Sequence, residues 1–413
     1  MIEFEHDLVQ DDRIHRRLYT DPAIFDLEMR RIFERVWVYV GHESEIAAGG
    51  DYKTAKIGRQ PVVLAREESG AINVLVNRCM HRGSIICRDE KGNSHFFRCP
   101  YHGWTYKNTG ELIGVPRRQR YPDDFAIGTL DAMHVPRVET YRGLIFASFN
   151  SEIEPVIEYL AQARHVVDRI LDLSLEGTIG LAPGPNRHRY PANWKFQAEN
   201  GVDGYHAMFL HESFFAIQKR RADSARLAPR NEELGWTQAF DNGHALLARR
   251  LPDDEVASVR ARFPEYYDAL EHKVGAERFR ELFEQTNLFI FPNLYLILNQ
   301  VRVIQPVTFD DTIVTMTPFT LGGAPSALNE LRLREHEQGF APAGFIGPDD
   351  YAAFECVQEG LAAASVPWLV LYRGIHDEQT LPDGSRRGKP SDETPQRGMY
   401  RRYRELMNAS APA

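Results

Sequence analysis

The segment Arg78-Cys79-Met80-His81-Arg82-Gly83, followed by Arg98-Cys99-Pro100-Tyr101-His102-Gly103-Trp104, decides how this chain is read. Its pattern is Cys-x-His, seventeen residues, then Cys-x-x-His. Two thiols and two imidazoles in paired clusters can hold zinc tetrahedrally. They can equally hold a [2Fe–2S] cluster, with the cysteines on one iron and the histidines on the other. The short Cys-x-His spacing favours the cluster. Each pair offers one thiolate and one imidazole, whereas a zinc finger usually takes two like ligands from each turn. Gly83 and Gly103 let backbone N–H groups approach bridging sulfides, where hydrogen bonds tune the potential.

The surroundings of the two pairs are β-rich. From about Val40 to Asn150, short runs such as Pro61–Ala65, Ile72–Val76, His95–Arg98 and Leu144–Phe149 are separated by glycine-bearing turns, Lys91-Gly92-Asn93 and Asn108-Thr109-Gly110 among them. This predicts a small all-β domain. Ahead of it, Asp21-Pro22 reads as an N-cap with proline at the first helical position, and apolar residues from Ile24 to Phe33 predict a helix to about Val36. Beyond it, Ile153–Leu173 reads as a connecting helix, and strands then mix with helices. Leu288–Pro306 and Thr312–Thr320 are strand-like; Asp253–Leu282, broken at Pro264, and Ser326–Gly339 are helical.

The 413 residues suffice for two domains, and 43% hydrophobic with 26% charged residues describes an ordinary globular protein. Net charge is −9, which argues against a protein that coats nucleic acid or anionic membrane. Lys219-Arg220-Arg221 and Arg386-Arg387 are short basic runs that read as solvated surface. No apolar run is long enough to cross a bilayer; Pro292 interrupts the nearest, Asn287–Asn299. The start, Met1-Ile2-Glu3-Phe4, has neither the basic residues nor the apolar stretch of a signal peptide, so a cytoplasmic location is expected. Four cysteines in such a setting suggest metal ligation rather than disulfides. Cys87 and Cys356 lack partners at ligand spacing and are expected to be small buried hydrophobes.

A second constellation runs Asn193-Trp194-Lys195, then Glu199-Asn200-Gly201-Val202-Asp203-Gly204-Tyr205-His206, ending at His211. A continuous helix would place Asn200, Asp203 and His206 on one face. His206 and His211 are five apart, about 140° round an ideal helix. Both reach one ion only if the helix is bulged there or ends between them. With one carboxylate they would form the facial triad that leaves open positions on Fe(II). The carboxylate has to come from elsewhere in the chain; Gly347-Pro348-Asp349-Asp350 precedes a helical stretch, where Asp349 suits an N-cap.

With both constellations in view, the chain resembles the large (alpha) subunits of Rieske non-haem iron aromatic ring-hydroxylating dioxygenases. The resemblance covers nearly the whole chain. Its nearest look-alikes are oxygenases of aromatic carboxylic acids, terephthalate dioxygenases in particular, through Ala343–Ile346, Gln358-Glu359-Gly360 and Glu393-Thr394 with Arg397-Gly398. It implies an α+β chain. An N-terminal helical arm, 1–39, packs with the catalytic domain; an all-β Rieske [2Fe–2S] domain spans 40–150; an α+β catalytic domain, with an antiparallel sheet and helices in a helix-grip-like arrangement, spans 151–413. It implies Cys79, His81, Cys99 and His102 as cluster ligands, and His206, His211 and Asp350, preferred over Asp349, as ligands of a mononuclear Fe(II). Asn200 and Asp203 fall at catalytic positions, and Asp203 is implied as a bridge from His206 to His102 of a neighbouring subunit. Arg302 falls where a substrate carboxylate would be bound, with Val202, Met208, Phe209 and Phe345 as candidate pocket walls. The implied partners are dioxygen, an aromatic carboxylate of the benzoate, terephthalate or salicylate type, a separate NAD(P)H-dependent reductase or a ferredoxin, and a small beta subunit, in an α3β3 or α3 trimer. Competing readings are a Rieske monooxygenase or demethylase and a pure Rieske electron carrier.

Metal analysis separates the last of these: an oxygenase is expected to hold about three irons per chain, a carrier about two, and a zinc protein none.

Overall fold

Short β-branched runs between glycine turns build the first of two units, Phe33–Val156. The computed structural model describes residues 4–220 and 233–409, so Arg221 of the basic run and the opening Met1-Ile2-Glu3 lie outside the described residues. In this unit Ile72–Val76, Gln60–Arg66, Asp51–Ile57 and Lys91–Asn93 form a four-stranded antiparallel sheet. Val38–His42, Leu144–Ser148 and Arg137–Tyr141 form a second sheet. Phe96–Arg98, Thr105–Lys107 and Leu112–Gly114 make a third. Tyr52, Val63, Leu75, Trp104 and Tyr106 share one core with Cys79, Cys87 and Cys99. The two Cys-His loops therefore grow out of packed strands rather than free coil.

The second unit comprises Met1–Ile32 with Ile157–Ala413. Its centre is a ten-stranded sheet. The strands are Ile179–Leu181 (β1), Asn186–Tyr190 (β2), Gly235–Ala239 (β3), Ala245–Arg249 (β4), Gln285–Ile290 (β5), Leu294–Ile297 (β6), Gln300–Thr308 (β7), Asp311–Leu321 (β8), Gln379–Thr380 (β9) and Arg386–Gly388 (β10). From β8 the order runs β7, β6, β5, β4, β3, β10, β9, all antiparallel, with β1 and β2 both on the far side of β8. The helices that matter below are Pro22–Glu28 (α1), Trp194–Asn200 (α2), Ala207–Leu210 (α3), Glu212–Arg220 (α4), Ser326–Phe340 (α5), Gly347–Gly360 (α6) and Thr394–Asn408 (α7). No helix among the described residues is long and apolar enough to cross a membrane.

Several expectations need correction. The helix expected from Asp21 to Val36 is α-helical only to Glu28 and continues as a wider π-turn, Met29–Phe33. The strand-like run Leu288–Pro306 is not one strand but the end of β5 followed by β6 and most of β7, because the chain turns back after Ile290 and again at Leu298, which takes φ 51°. The break expected at Pro264 is found: one helix ends at Arg262 and Pro264 starts the next, Pro264–Val274, since a first-turn position needs no N–H donor. Cys87 is buried, but Cys356 is exposed on α6, whose buried face is supplied by Asp350, Tyr351 and Phe354.

A buried ion pair fixes α2. Asn193 caps it by accepting from the Lys195 N–H. Lys195 Nζ lies 2.6 Å from Glu28 Oε1, and both side chains are fully buried. Glu28 also accepts from Trp194 Nε1 at 2.8 Å and from Tyr403 on α7 at 2.7 Å. Burial lowers the Lys195 ammonium pKa, and Glu28 works against that shift. The pair thus ties the N-terminal arm, α2 and the C-terminal helix together. Breaking such a pair leaves an uncompensated buried charge. Lys195→Met is therefore expected to destabilise the protein by about 3–5 kcal/mol, and the double variant with Glu28→Gln to recover part of that loss, as read by denaturant unfolding.

Candidate functional site

The two Cys-His loops are built alike. In the first, Gly83 N–H donates to the Cys79 carbonyl at 2.9 Å, and Cys79 N–H to the Ser84 carbonyl at 2.8 Å. In the second, Gly103 N–H donates to the Cys99 carbonyl at 3.0 Å, and Cys99 N–H to the Trp104 carbonyl at 2.7 Å. Gly83 and Gly103 take φ 74° and 75°, which L side chains rarely adopt, so each glycine is what closes its loop. Each loop buries its cysteine and leaves its histidine half-buried. The rings of His81 and His102 come to 4.6 Å, and Trp104 stacks on His81 at 5.0 Å. Tyr106 OH lies 3.4 Å from Cys79 Sγ. Burial pushes the Cys99 thiol up. Backbone N–H groups of Tyr101 and His102, with Cys79 and Ser84, bring it below its usual value, as a thiolate ligand requires. His81 Nδ1 is buried with no hydrogen-bond partner. An orphaned imidazole nitrogen beside two converging thiols fits a [2Fe–2S] group with mixed ligation.

The second site depends on a broken helix. α2 stops at Asn200, the chain turns through Gly201–Tyr205, His206 opens α3 and His211 closes it. Asn200, Asp203 and His206 therefore do not share a helical face. The turn is tight: a Cβ on Gly204 would overlap the Pro390 carbonyl, and one on Gly201 the Tyr295 ring. With His206 and His211 at the two ends of this short helix, their imidazoles stand at 80° to one another, 5.4 Å between centroids. Asp350, in the first turn of α6, meets both, with Oδ1 3.5 Å from His206 Nε2 and 3.2 Å from His211 Nε2. One ligand atom from each of the three side chains lies within 4.8 Å of the others.

Each imidazole also has a carboxylate behind it. Asp203 Oδ2 is 3.2 Å from His206 Nδ1, and Asp349 Oδ2 is 3.5 Å from His211 Nδ1. Asp203 Oδ1 is held by the Tyr205 N–H at 2.7 Å. This carboxylate–imidazole arrangement orients a metal-binding histidine and raises its basicity. Burial lowers the His211 imidazole, but Asp350 and Asp349 together bring it above its usual value. The Asn200 amide nitrogen sits among these groups, 3.2 Å from His206 Nε2 and 3.3 Å from Asp350 Oδ1. Two imidazoles and a buried carboxylate converging on one point fit a ferrous ion. The role of Asp349 behind His211 was not legible in the sequence; its one signal is a second carboxylate beside Asp350.

A cavity of about 130 Å³ adjoins this point. Asn200, Asp203, His206, His211 and Asp350 contribute to its wall, and so do Met208 and Arg302. Val202, Phe209 and Phe345 do not: Val202 is 2% exposed, while Phe209 and Phe345 are 64% and 42% exposed. Phe214 and Phe340 supply aromatic wall that the sequence reading missed. Arg302 is 3% exposed, and its guanidinium lies 5.1 Å from the Phe340 ring centre. Its Nε has no hydrogen-bond partner, and no ion pair to it is found among the described residues. A buried, unpaired guanidinium facing a cavity is costly unless something anionic enters.

Comparison with known proteins agrees with this architecture. Residues 36–141 match the Rieske [2Fe-2S] domain, and residues 163–409 the ring hydroxylating alpha subunit catalytic domain. The chain is 37% identical over 389 residues to the 2-halobenzoate 1,2-dioxygenase large subunit of Burkholderia cepacia, covering 91% of this chain and 83% of that protein. It is 35% identical over 386 residues to the toluate 1,2-dioxygenase alpha subunit of Pseudomonas putida, covering 88% and 84%. A solved naphthalene 1,2-dioxygenase with indole in its active site superposes with a TM-score of 0.87 at 26% identity, covering 98% of this chain and 95% of that one. The catalytic-domain match speaks against a pure electron carrier. The two domains imply a Rieske cluster and a mononuclear iron. The chain therefore belongs to the Rieske non-haem iron ring-hydroxylating dioxygenases, as the alpha subunit of a multicomponent enzyme.

Proposed function

We propose that this alpha subunit dihydroxylates a one-ring aromatic monocarboxylate, with Arg302 as the carboxylate anchor. The observation that carries this is the unpaired, buried Arg302 in the wall shared with His206, His211 and Asp350. A planar guanidinium fork suits a carboxylate, and no second arginine or lysine lines the cavity among the described residues, which favours one carboxylate over the two of terephthalate. The size agrees with a single ring: an apolar cavity of about 150 Å³ takes benzene, against about 130 Å³ here. Relatives whose names specify halobenzoate and toluate point the same way.

In this reading Cys79 and Cys99 hold one iron of the cluster, His81 and His102 the other, and His206, His211 and Asp350 hold the mononuclear iron. The chemistry these groups supply when bound is single-electron delivery and reduction of dioxygen. The chain's own residues do the rest. Asp203 and Asp349 hold the two imidazoles by their outer nitrogens. Asn200 keeps a polar amide at the edge of the site. Arg302 fixes the ring by its carboxylate, while Phe214 and Phe340 exclude water from its faces. We take residues 1–39 as an arm, 40–150 as the cluster domain and 151–413 as the catalytic domain. Asp203 would pass electrons between His102 of one copy and His206 of the next in a trimer, α3β3 or α3, served by a reductase or ferredoxin. A cytoplasmic location suits four free cysteines.

Arg302→Met is expected to raise the KM for benzoate about 30-fold or more, the effect of removing one side of a buried charge pair; an unchanged KM refutes the anchor. Asp203→Asn is expected to retain both metals yet lose turnover, checked by metal content alongside oxygen uptake; activity like that of the unmodified enzyme refutes the electron bridge.

A further inference from the structure

The fold around Arg302 holds more unsatisfied polar groups than a carboxylate anchor explains. Gln300 precedes Arg302 by two residues on β7, so the two side chains leave the same face of the sheet. Register confirms the face: Gln300 pairs with Ile297 and Arg302 with Tyr295 on β6, and Ile297 lines the cavity as Arg302 does. Gln300 is fully buried, and neither its amide nitrogen nor its amide oxygen has a hydrogen-bond partner. On the other side of β7, Met316 pairs with both Arg302 and Asn186, which places Asn186 in the same row as Arg302. Above that row lies His336, one helical turn before the Phe340 that covers Arg302.

The protonation of His336 follows from its partners. The Asn186 amide nitrogen lies 3.2 Å from a Glu337 carboxylate oxygen and 3.1 Å from His336 Nε2. A carboxylate accepts, so that amide nitrogen is the donor to both, and His336 Nε2 is an acceptor. Burial, with Arg302 close by, pushes the imidazole down to about 4, so it is neutral and carries its proton on Nδ1. His336 is 1% exposed, and Nδ1 has no partner. Three kinds of donor are therefore unmet in one neighbourhood, Arg302 Nε–H, His336 Nδ1–H and the Gln300 NH2, with one unmet acceptor, Gln300 Oε1. Most buried polar groups in proteins are satisfied, so such a group of orphans calls for a ligand.

We propose that Gln300 and His336 form a hydrogen-bonding extension of the Arg302 anchor, which makes the favoured substrate a one-ring carboxylate that also carries a hydroxyl group. A hydroxyl accepts from His336 or Gln300 and donates to the Gln300 oxygen. A halogen or methyl group does neither, and leaves buried groups unpaired, the situation in which polar sites discriminate most strongly. Neither Gln300 nor His336 lines the present cavity, whose wall on this side includes Ile297, Leu298, Arg302 and Phe340; Gln300 shares a sheet face with Arg302 and His336 a helix with Phe340, so the hydroxyl has to reach them past that wall. The proposal rests on the reading of Arg302 as anchor.

Dissociation constants of benzoate, 2-chlorobenzoate, 2-hydroxybenzoate and 3-hydroxybenzoate, measured calorimetrically on the iron-loaded enzyme, test it. The unmodified enzyme is expected to bind one of the hydroxybenzoates about tenfold or more tighter than benzoate and chlorobenzoate, and Gln300→Met to erase most of that preference. Gln300→Met removes an unpaired buried amide at constant volume, so its melting temperature is expected to equal or exceed that of the unmodified enzyme. No preference for either hydroxybenzoate, a preference that survives Gln300→Met, or a clear fall in melting temperature would each overturn the extension. The anchor is tested apart from it: Arg302→Met that binds all four carboxylates as before removes the anchor, and with it the basis of the extension, whereas general weakening in Arg302→Met beside an unaltered preference in Gln300→Met removes only the extension.

Discussion

The rest of the structure depends on one opposition: the Asp350 carboxylate facing the Nε2 atoms of His206 and His211 across less than 4 Å. Two histidines five residues apart cannot meet one carboxylate from an unbroken helix. The end of α3 at His211 is therefore a requirement of the site, and the tight passage at Gly201 and Gly204 carries the chain from α2 to His206. α2 must then be anchored independently, because it no longer gains from helical continuity beyond Asn200. The fully buried Lys195–Glu28 pair, with its bonds from Trp194 and Tyr403, supplies that anchorage. Buried ion pairs contribute little net stability. Here the pair fixes the position of a helix end, and the convergence of His206, His211 and Asp350 lies beside that end, within reach of Asn200.

Charge around the cavity follows the same logic. Three carboxylates, Asp203, Asp349 and Asp350, surround two imidazoles and favour a cation between them. Arg302 faces the same space with no counter-ion among the described residues. The cavity wall thus carries a demand for a cation at one point and for an anion at another. A metal ion and an aromatic carboxylate bound together satisfy both, and the apolar wall of Phe214 and Phe340 serves the ring between them.

What could be read from the sequence was what is local. The Cys-x-His and Cys-x-x-His pairs sit on loops closed within five residues, so their spacing already carries the geometry. The five-residue separation of His206 and His211 also stated a condition, a bulge or a helix end between them, and the helix does end between them, at Leu210. Asp350 lies 139 positions beyond His211, and only a resemblance to a family could nominate it. Side-chain direction was the least legible. Met208 and Arg302 reach the cavity while Val202, Phe209 and Phe345 do not; Val202, Met208 and Phe209 take their directions from the broken helix, Arg302 from strand β7 and Phe345 from the connection between α5 and α6. The hairpin at Leu298 was hidden for a similar reason: the apolar run on both sides reads as one strand unless the positive φ is known.

The central claim is that the mononuclear iron and the Arg302 anchor serve one cavity. Nitric oxide added to the anaerobically reduced enzyme gives a paramagnetic signal that reports on a ferrous ion with open positions, and benzoate can then be titrated in. The account predicts such a signal in the unmodified enzyme, its change in shape as benzoate saturates, and its loss in Asp350→Ala while the cluster signal persists. A nitrosyl signal that stays unaltered while benzoate is shown to bind would contradict the shared cavity, and the absence of any such signal from iron-loaded enzyme would contradict the site itself.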